Sequence, residues 1–221
     1  MIISYYIFLI AISTFIITME PLRAASEIQK IVRGVQQRQR LIIPSSSLQT
    51  KNWRKAQSWY RGGKHNECEL YQRNIIEKIT NMTCSKSDKR LHIQTKILAD
   101  KKYPMKEDDG FEWTEDFDGF IQNRGADIYF NLKIICDAGG AQTSSLREVY
   151  HFITTQLDHL VLFPSSSVHF VNILDGNTCA NTMGKFNYLF SKPQYGFAKN
   201  RVFVGDMREF QNLWFANYKN K

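Results

Sequence analysis

Two short runs in the middle of the chain hold side chains whose types and spacing suit metal-assisted chemistry on a phosphate. Asp116 and Asp118 lie in FEWTEDFDGFI (111–121), and Asn131 and Lys133 lie in DIYFNLKIICD (127–137). Each pair is two residues apart, which puts both members on one face of a strand. If the two strands are neighbours, Asp118 comes close to Lys133. A hard divalent cation such as Mg²⁺ takes a few oxygen ligands and keeps waters of its own. Asp118, the Asn131 side-chain oxygen and the Ile134 carbonyl are ligands of that kind. A lysine beside them would stabilise negative charge on a phosphate or orient an attacking water. The plainer alternative makes Lys133 a strand residue with its amine in solvent and Asp118 a turn residue.

The elements that must position these residues are legible from periodicity. In 111–121, Phe111, Trp113 and Phe117 alternate with Glu112, Asp116 and Asp118, which predicts one strand with an aromatic and an acidic face. Residues 123–125, NRG, predict a turn, and 127–137 predict a second strand, apolar on both faces and so central in a sheet. Residues 139–143, GGAQT, end it. Their amides can take a phosphate with Gln142 and Thr143 reaching DNA, or they form a plain turn capped by Thr143 or Ser144. Residues 144–162 predict an amphipathic helix with Leu146, Val149, Ile153, Leu157, Leu160 and Val161 inward. Upstream, a helix is expected over 66–82 with Leu70, Ile75, Ile76 and Ile79 on its apolar face, and a strand over 91–98. Downstream, strands at 168–174 and 202–204 and helices at 182–190 and 207–218 complete the pattern. Asp175 and Asp206, each next to a glycine, read as turn formers. The sum is an α/β domain, a central mixed β-sheet flanked by helices.

The 221 residues are ordinary in apolar content, which excludes collagen-like and low-complexity chains. Charge is uneven. Residues 1–106 hold 19 basic and 7 acidic side chains, net +12, and residues 107–221 hold 10 and 14, net −4. A basic half points to a polyanionic partner. Arg54, Lys55, Arg61 and Lys64 stand among Trp53, Trp59 and Tyr60, the mixture of cations and aromatics found on nucleic-acid surfaces. Four scattered cysteines and no CxxC argue against structural zinc and for a reducing compartment. Residues 1–18 are uncharged and apolar, either a membrane anchor or a non-native extension ahead of Met19. Residues 19–50 read as a basic helix, 27–41, and a linker around Pro44. The compact domain is expected from about 51 to 221, in the cytoplasm, or membrane-anchored if residues 1–18 are genuine.

An aspartate at a strand end, x-x-Lys on the next strand and then an amphipathic helix resembles the layout of the PD-(D/E)xK nuclease superfamily. The chain is similar there to type II restriction endonucleases, including those of large DNA viruses of algae. The likeness spans about 53–214 and is densest in EDFDG (115–119), YFNLKIICDAGGAQT (129–143), SLREVYHFITTQL (145–157), FVNILDG (170–176) and VFVGD (202–206). It implies a restriction-endonuclease-like fold and Mg²⁺-dependent hydrolysis of double-stranded DNA at a short specific sequence. It further implies a homodimer matching a two-fold site and a cognate DNA methyltransferase. The pattern expects an acid two residues before the lysine, where this chain has Asn131. Asp116, or Glu67, Glu69 or Glu77 on the early helix, would have to compensate. Asn131→Asp is then expected to restore the acid. Two rivals remain. One is a glycosyltransferase using Asp116-Phe117-Asp118 as a DxD motif behind an N-terminal anchor, which the basic residues after that anchor oppose. The other is a DNA-binding protein that has lost catalysis with its acid.

Overall fold

The computed structural model describes residues 52, 55–56, 67–101, 113–135, 140–176, 179 and 181–216. The apolar segment, the Met19 question, the helix at 27–41, the linker and most of the 53–64 stretch lie outside those residues. The first described helix, α1, is Glu67–Thr80, with Glu67 and Glu69 in its first turn and Lys78 in its last, as the helix dipole favours. Ile75 and Ile76 are buried as expected, but Leu70 is 41% exposed. The inward stripe passes through Gln72 instead, which is fully buried because its amide bonds the carboxylate of Asp175.

Two sheets follow. The smaller is antiparallel, with β1 (Lys89–His92) between β2 (Leu98–Asp100) and β3 (Thr114–Asp116). The strand expected over 91–98 is therefore a hairpin, broken where Lys96 adopts a positive φ of 60°. The larger sheet has the order β4 (Gly119–Asn123), β5 (Ala126–Ile134), β6 (Val168–Asp175) and β7 (Val202–Gly205). β4 and β5 form a hairpin with Asn123 opposite Ala126, and Arg124 and Gly125 take φ of 50° and 83°. Positive φ at both central residues is what a type I′ turn needs. β5, β6 and β7 are mutually parallel, so the sheet is mixed and β5 is interior, as its apolar composition predicted.

The single strand expected over 111–121 is in fact two strands in two sheets. Thr114–Asp116 pairs with β1, Gly119–Asn123 pairs with β5, and the chain bends between them at Phe117 and Asp118. The bend turns Phe117 inward. Its ring lies nearly parallel to that of Phe170, 5.3 Å away, and within 5.3 Å of the Tyr129 and Phe152 rings. Trp113, expected on the same face, lies just ahead of β3 and is 69% exposed.

Helix α2 (Gly140–Leu162) covers one face of the large sheet, burying Leu146, Val149, Ile153, Leu157 and Leu160 against Tyr129, Phe170 and Leu174. It starts four residues earlier than expected, so Thr143 and Ser144 lie within the helix rather than capping it. Val161 points outward. The opposite face of the sheet carries Ile128, Phe130, Val171 and Ile173, all buried, with Ile75 and Ile76 among the core residues of α1. After α3 (Met183–Ser191) and two 3₁₀ turns, the chain enters β7 and then a helix capped by Asp206. Asp206 Oδ1 accepts from Glu209 N at 2.8 Å while Glu209 Oε2 accepts from Asp206 N at 2.9 Å, a capping box. The expected helix at 207–218 continues only to Glu209 as α-helix and then widens to a π-helix over Phe210–Phe215. The wider turn lets Phe210 stack on Trp214, 5.6 Å away, and leaves Leu213 outside. Among the described residues, no helix is long and apolar enough to cross a membrane.

Phe117 is 1% exposed and touches three rings, so Phe117→Ala should cost about 3–5 kcal/mol of stability. Urea unfolding followed by circular dichroism measures it, and a loss under about 1 kcal/mol would mean that the crossing is held by something else.

Candidate functional site

Asp118 sits just before β4 begins, beside the part of β5 that runs past it. Its amide donates to the Phe130 carbonyl at 2.8 Å, and its Oδ2 accepts from the Leu132 amide at 2.7 Å. The carboxylate thus takes the place of the strand carbonyl that Leu132 would otherwise lack. Arg73 of α1 donates to the Asp118 carbonyl at 2.9 Å and ties the bend to the helix. Burial raises the Asp118 carboxyl to about 6, against the pull of Lys133 and of the Leu132 amide, while nearby Glu69 raises it further. The same Lys133 acts on Glu115, whose carboxyl is raised by desolvation and by Glu148 and Asp116. Lys133, half-buried on β5, is therefore shared by two carboxylates from the two sides of the bend.

The other expected residues go elsewhere. Asp116 remains on β3, where it faces Arg90 at 3.3 Å and Lys101 at 3.5 Å. Asp116 and Asp118 both feel Lys101, but Asp116 pairs directly with Arg90 and Lys101 while Asp118 bonds the Leu132 amide, which is against a common DxD chelate. Glu77 accepts from the Cys84 amide at 2.9 Å and fastens the end of α1 to the next loop. Glu67 and Glu69 are both half-buried in the first turn of α1, and Glu69 is the one that acts on Asp118. Arg54, Arg61 and Lys64 fall outside the described residues, and Lys55 is exposed. Gln142 and Thr143 lie in the first turn of α2, and their side chains are outside the description.

Asn131 is 1% exposed and belongs to a buried amide ladder. Asn172 Nδ2 donates to the Phe203 carbonyl at 3.1 Å and to Gln156 Oε1 at 2.8 Å. A backbone carbonyl can only accept, so this contact fixes which way the Asn172 amide faces. Asn172 Oδ1 then accepts from both Gln156 Nε2 and Asn131 Nδ2, each at 3.1 Å. The ladder joins β5, β6, β7 and α2 through neutral groups. Asn131 is a donor in it, and its role as a metal ligand in the sequence reading has this competing engagement. Among the described residues, no three His, Cys, Asp or Glu side chains converge to hold a metal ion. The donors therefore fit at most a hydrated ion held by one or two carboxylates, Asp118 with Glu69, whose mutual repulsion a cation would relieve.

Glu115 and Arg73 had no signal in the sequence that set them apart from other charged residues. Only the bend brings Glu115 to Lys133. Asp175, expected as a turn former, is 2% exposed at the end of β6. It accepts from Gln72 Nε2 at 2.9 Å and from the Met207 amide at 3.1 Å, joining α1 to the C-terminal helix. Burial raises its carboxyl to about 7.

Asn131→Asp, expected from the sequence to restore an acid, would face Asn172 Oδ1 with a second acceptor in a buried site. It should cost about 3 kcal/mol or more, read by urea unfolding at pH 7.5; a neutral change would free this position for metal binding. Asp175 gives a pH signature. Its folded value exceeds the unfolded value of about 3.9, so the native state holds a proton that the unfolded chain has released. The contribution of Asp175 to stability should be full below about pH 4 and fall until about pH 7. Asp118 contributes the same sign up to about pH 6, and His159, held below its ordinary 6.5 by burial, contributes the opposite sign up to 6.5, so the fall due to Asp175 is read from about 6.5 to 7. Asp175→Asn should flatten that interval in thermal melts at stepped pH; an unchanged slope would assign it to another group. No protein-family model, curated protein or solved structure matches the chain.

Proposed function

We propose that the protein is a Mg²⁺-dependent endonuclease of double-stranded DNA, cutting at a short specific sequence, as the resemblance to PD-(D/E)xK nucleases implies. The observation that carries this reading is the half-buried Asp118 carboxylate, positioned by the Leu132 amide and acting electrostatically with Lys133 on the adjacent strand. A partly desolvated carboxylate under the electrostatic pull of an ammonium group suits a reaction that develops charge on a phosphate. The sheet order supports it: a hairpin, then a helix crossing to a parallel strand, sets both residues on neighbouring elements.

Asp118 and Glu69 would hold the Mg²⁺ ion. When bound, it would neutralise the scissile phosphate and make its water a stronger nucleophile at neutral pH. Asp118 stays fixed by the Leu132 amide, so the carboxylate enters the reaction already oriented. Lys133 supplies a positive charge to a phosphate oxygen, and its pull on Asp118 and Glu115 favours their ionised forms. Arg73 holds the bend still through the Asp118 carbonyl. The protein would act as a homodimer on a two-fold site, with a methyltransferase protecting the host sequence.

The second reading is a DNA-binding protein without catalysis. It is favoured by the amide ladder, which engages Asn131 where the nuclease pattern has an acid.

Asp118→Asn keeps an acceptor for the Leu132 amide while removing the charge, and Lys133→Gln keeps the length of the side chain. Each should lower plasmid cleavage in Mg²⁺ by about 10²–10³-fold, with unfolding midpoints and DNA affinity in EDTA retained. Wild-type rates in both variants would end the nuclease assignment to this site. Binding without any cleavage by the unmodified chain would favour the second reading.

A further inference from the structure

The acidic total of residues 107–221 conceals a stretch of opposite character. From Gly176 to Gly205 there is no aspartate or glutamate, while Lys185, Lys192, Lys199 and Arg201 are present. Arg201 is committed to the protein itself, donating to the Pro164 and Ser166 carbonyls. The three lysines have a different setting. Helix α3 buries Phe186 and Leu189, at 1% and 0% exposure, so its apolar side chains are spent on the core. Lys185 and Tyr188, at i and i+3, lie on the outward side, and Lys192 caps the C-terminal end of the helix. Tyr188 is 66% exposed, and the Lys192 amine lies 5.9 Å from the centre of its ring. Lys199 is exposed in the 3₁₀ turn Ala198–Arg201 that follows.

A large ring left in solvent between two cations, on a segment free of acids, fits a nucleic acid better than other polyanions. Lysines neutralise phosphates, and an aromatic face stacks on a base whatever its identity. An anionic membrane would need several apolar side chains on the same face; α3 turns Phe186 and Leu189 inward, and Phe197, 49% exposed near Lys199, is a single ring. We infer that the outward stripe of α3, Lys185, Tyr188 and Lys192, with Lys199, is a DNA-contacting surface: the lysines meet the backbone and Tyr188 stacks on an unpaired or frayed base. The inference rests on the DNA partner proposed above, not on the chemistry at Asp118 and Lys133.

The test is fluorescence anisotropy of the full chain in EDTA, with a labelled duplex and a labelled oligo-dT, each of about 20 nucleotides, over a salt series. Lys185→Glu/Lys192→Glu/Lys199→Glu should weaken duplex binding at least about 10-fold and reduce the slope of log K against log salt by about 2–3. The milder Lys185→Gln/Lys192→Gln/Lys199→Gln should lower the slope in the same direction, which covers a charge reversal that unfolds the chain. Tyr188→Ala should weaken oligo-dT more than duplex. A control with equal charge change on other surfaces, Lys78→Glu/Lys86→Glu/Arg124→Glu, should leave the slope within about one unit. The inference is overturned by an unchanged slope in the glutamine variant, by an equal loss in the control, or by wild-type protein that binds phosphatidylserine vesicles and not DNA. Cleavage in Mg²⁺ separates the two proposals. A chain that cuts DNA with an unchanged slope in the stripe variants keeps the nuclease reading and loses this one; stripe-dependent binding without cleavage does the reverse.

Discussion

The structure depends on how one strand leaves the small sheet and enters the large one. At that crossing Phe117 must be buried, and the amide of Leu132 on β5 lies past the end of β4, with no strand on that side to supply an acceptor. Both demands are met by adjacent residues. The Phe117 ring fills the space between Tyr129, Phe152 and Phe170, and the next side chain, Asp118, bonds the Leu132 amide. An unpaired buried amide costs about 1–3 kcal/mol, so the carboxylate has a structural task before any chemical one. The same geometry leaves it beside Lys133, which makes the stability of the fold and the orientation of the candidate site one problem.

Polar groups elsewhere in the interior are satisfied by a different means. Around Asn172, a neutral amide ladder joins three strands and α2, and its direction is set by a single backbone carbonyl, that of Phe203. Neutral partners avoid the desolvation cost of buried charges. On the other face of the sheet, Asp175 bridges Gln72 and the Met207 amide. Its carboxyl is raised to about 7 because two neutral donors do not replace the water it has lost. The two faces thus hold buried polar groups of different kinds. One is insensitive to pH, and the other titrates near neutrality.

Charge is also divided in space. The acids near the bend are balanced by Lys133, Arg90 and Lys101, and Asp116 in particular is taken up by two cations on the small sheet. The stretch from 176 to 205 has no acids to balance its lysines.

The sequence by itself determined the pieces whose physics is local. Alternation and the NRG turn placed the β4–β5 hairpin, since a two-residue turn needs positive φ that Gly125 tolerates. The apolar run made β5 interior, and the 3.6-residue period gave α2 its inward face from Leu146 to Leu160. The electrostatic coupling of Asp118 to Lys133 agrees with the expected pairing of the two strands, here 119–123 with 126–134. Only the tertiary structure decided matters that depend on distant partners. Nothing local in FEWTEDFDGFI says that the chain changes sheets at Phe117, because alternation continues through the bend. The partners that divide the two aspartates, Arg90, Lys101 and the Leu132 amide, come from elsewhere in the chain. Gln72 lies off the apolar stripe expected for α1 and Asn131 reads as a ligand, yet both are buried donors whose acceptors lie 103 and 41 residues away. Composition and period record which side chains are apolar; they do not record which polar group will find a partner across the sheet.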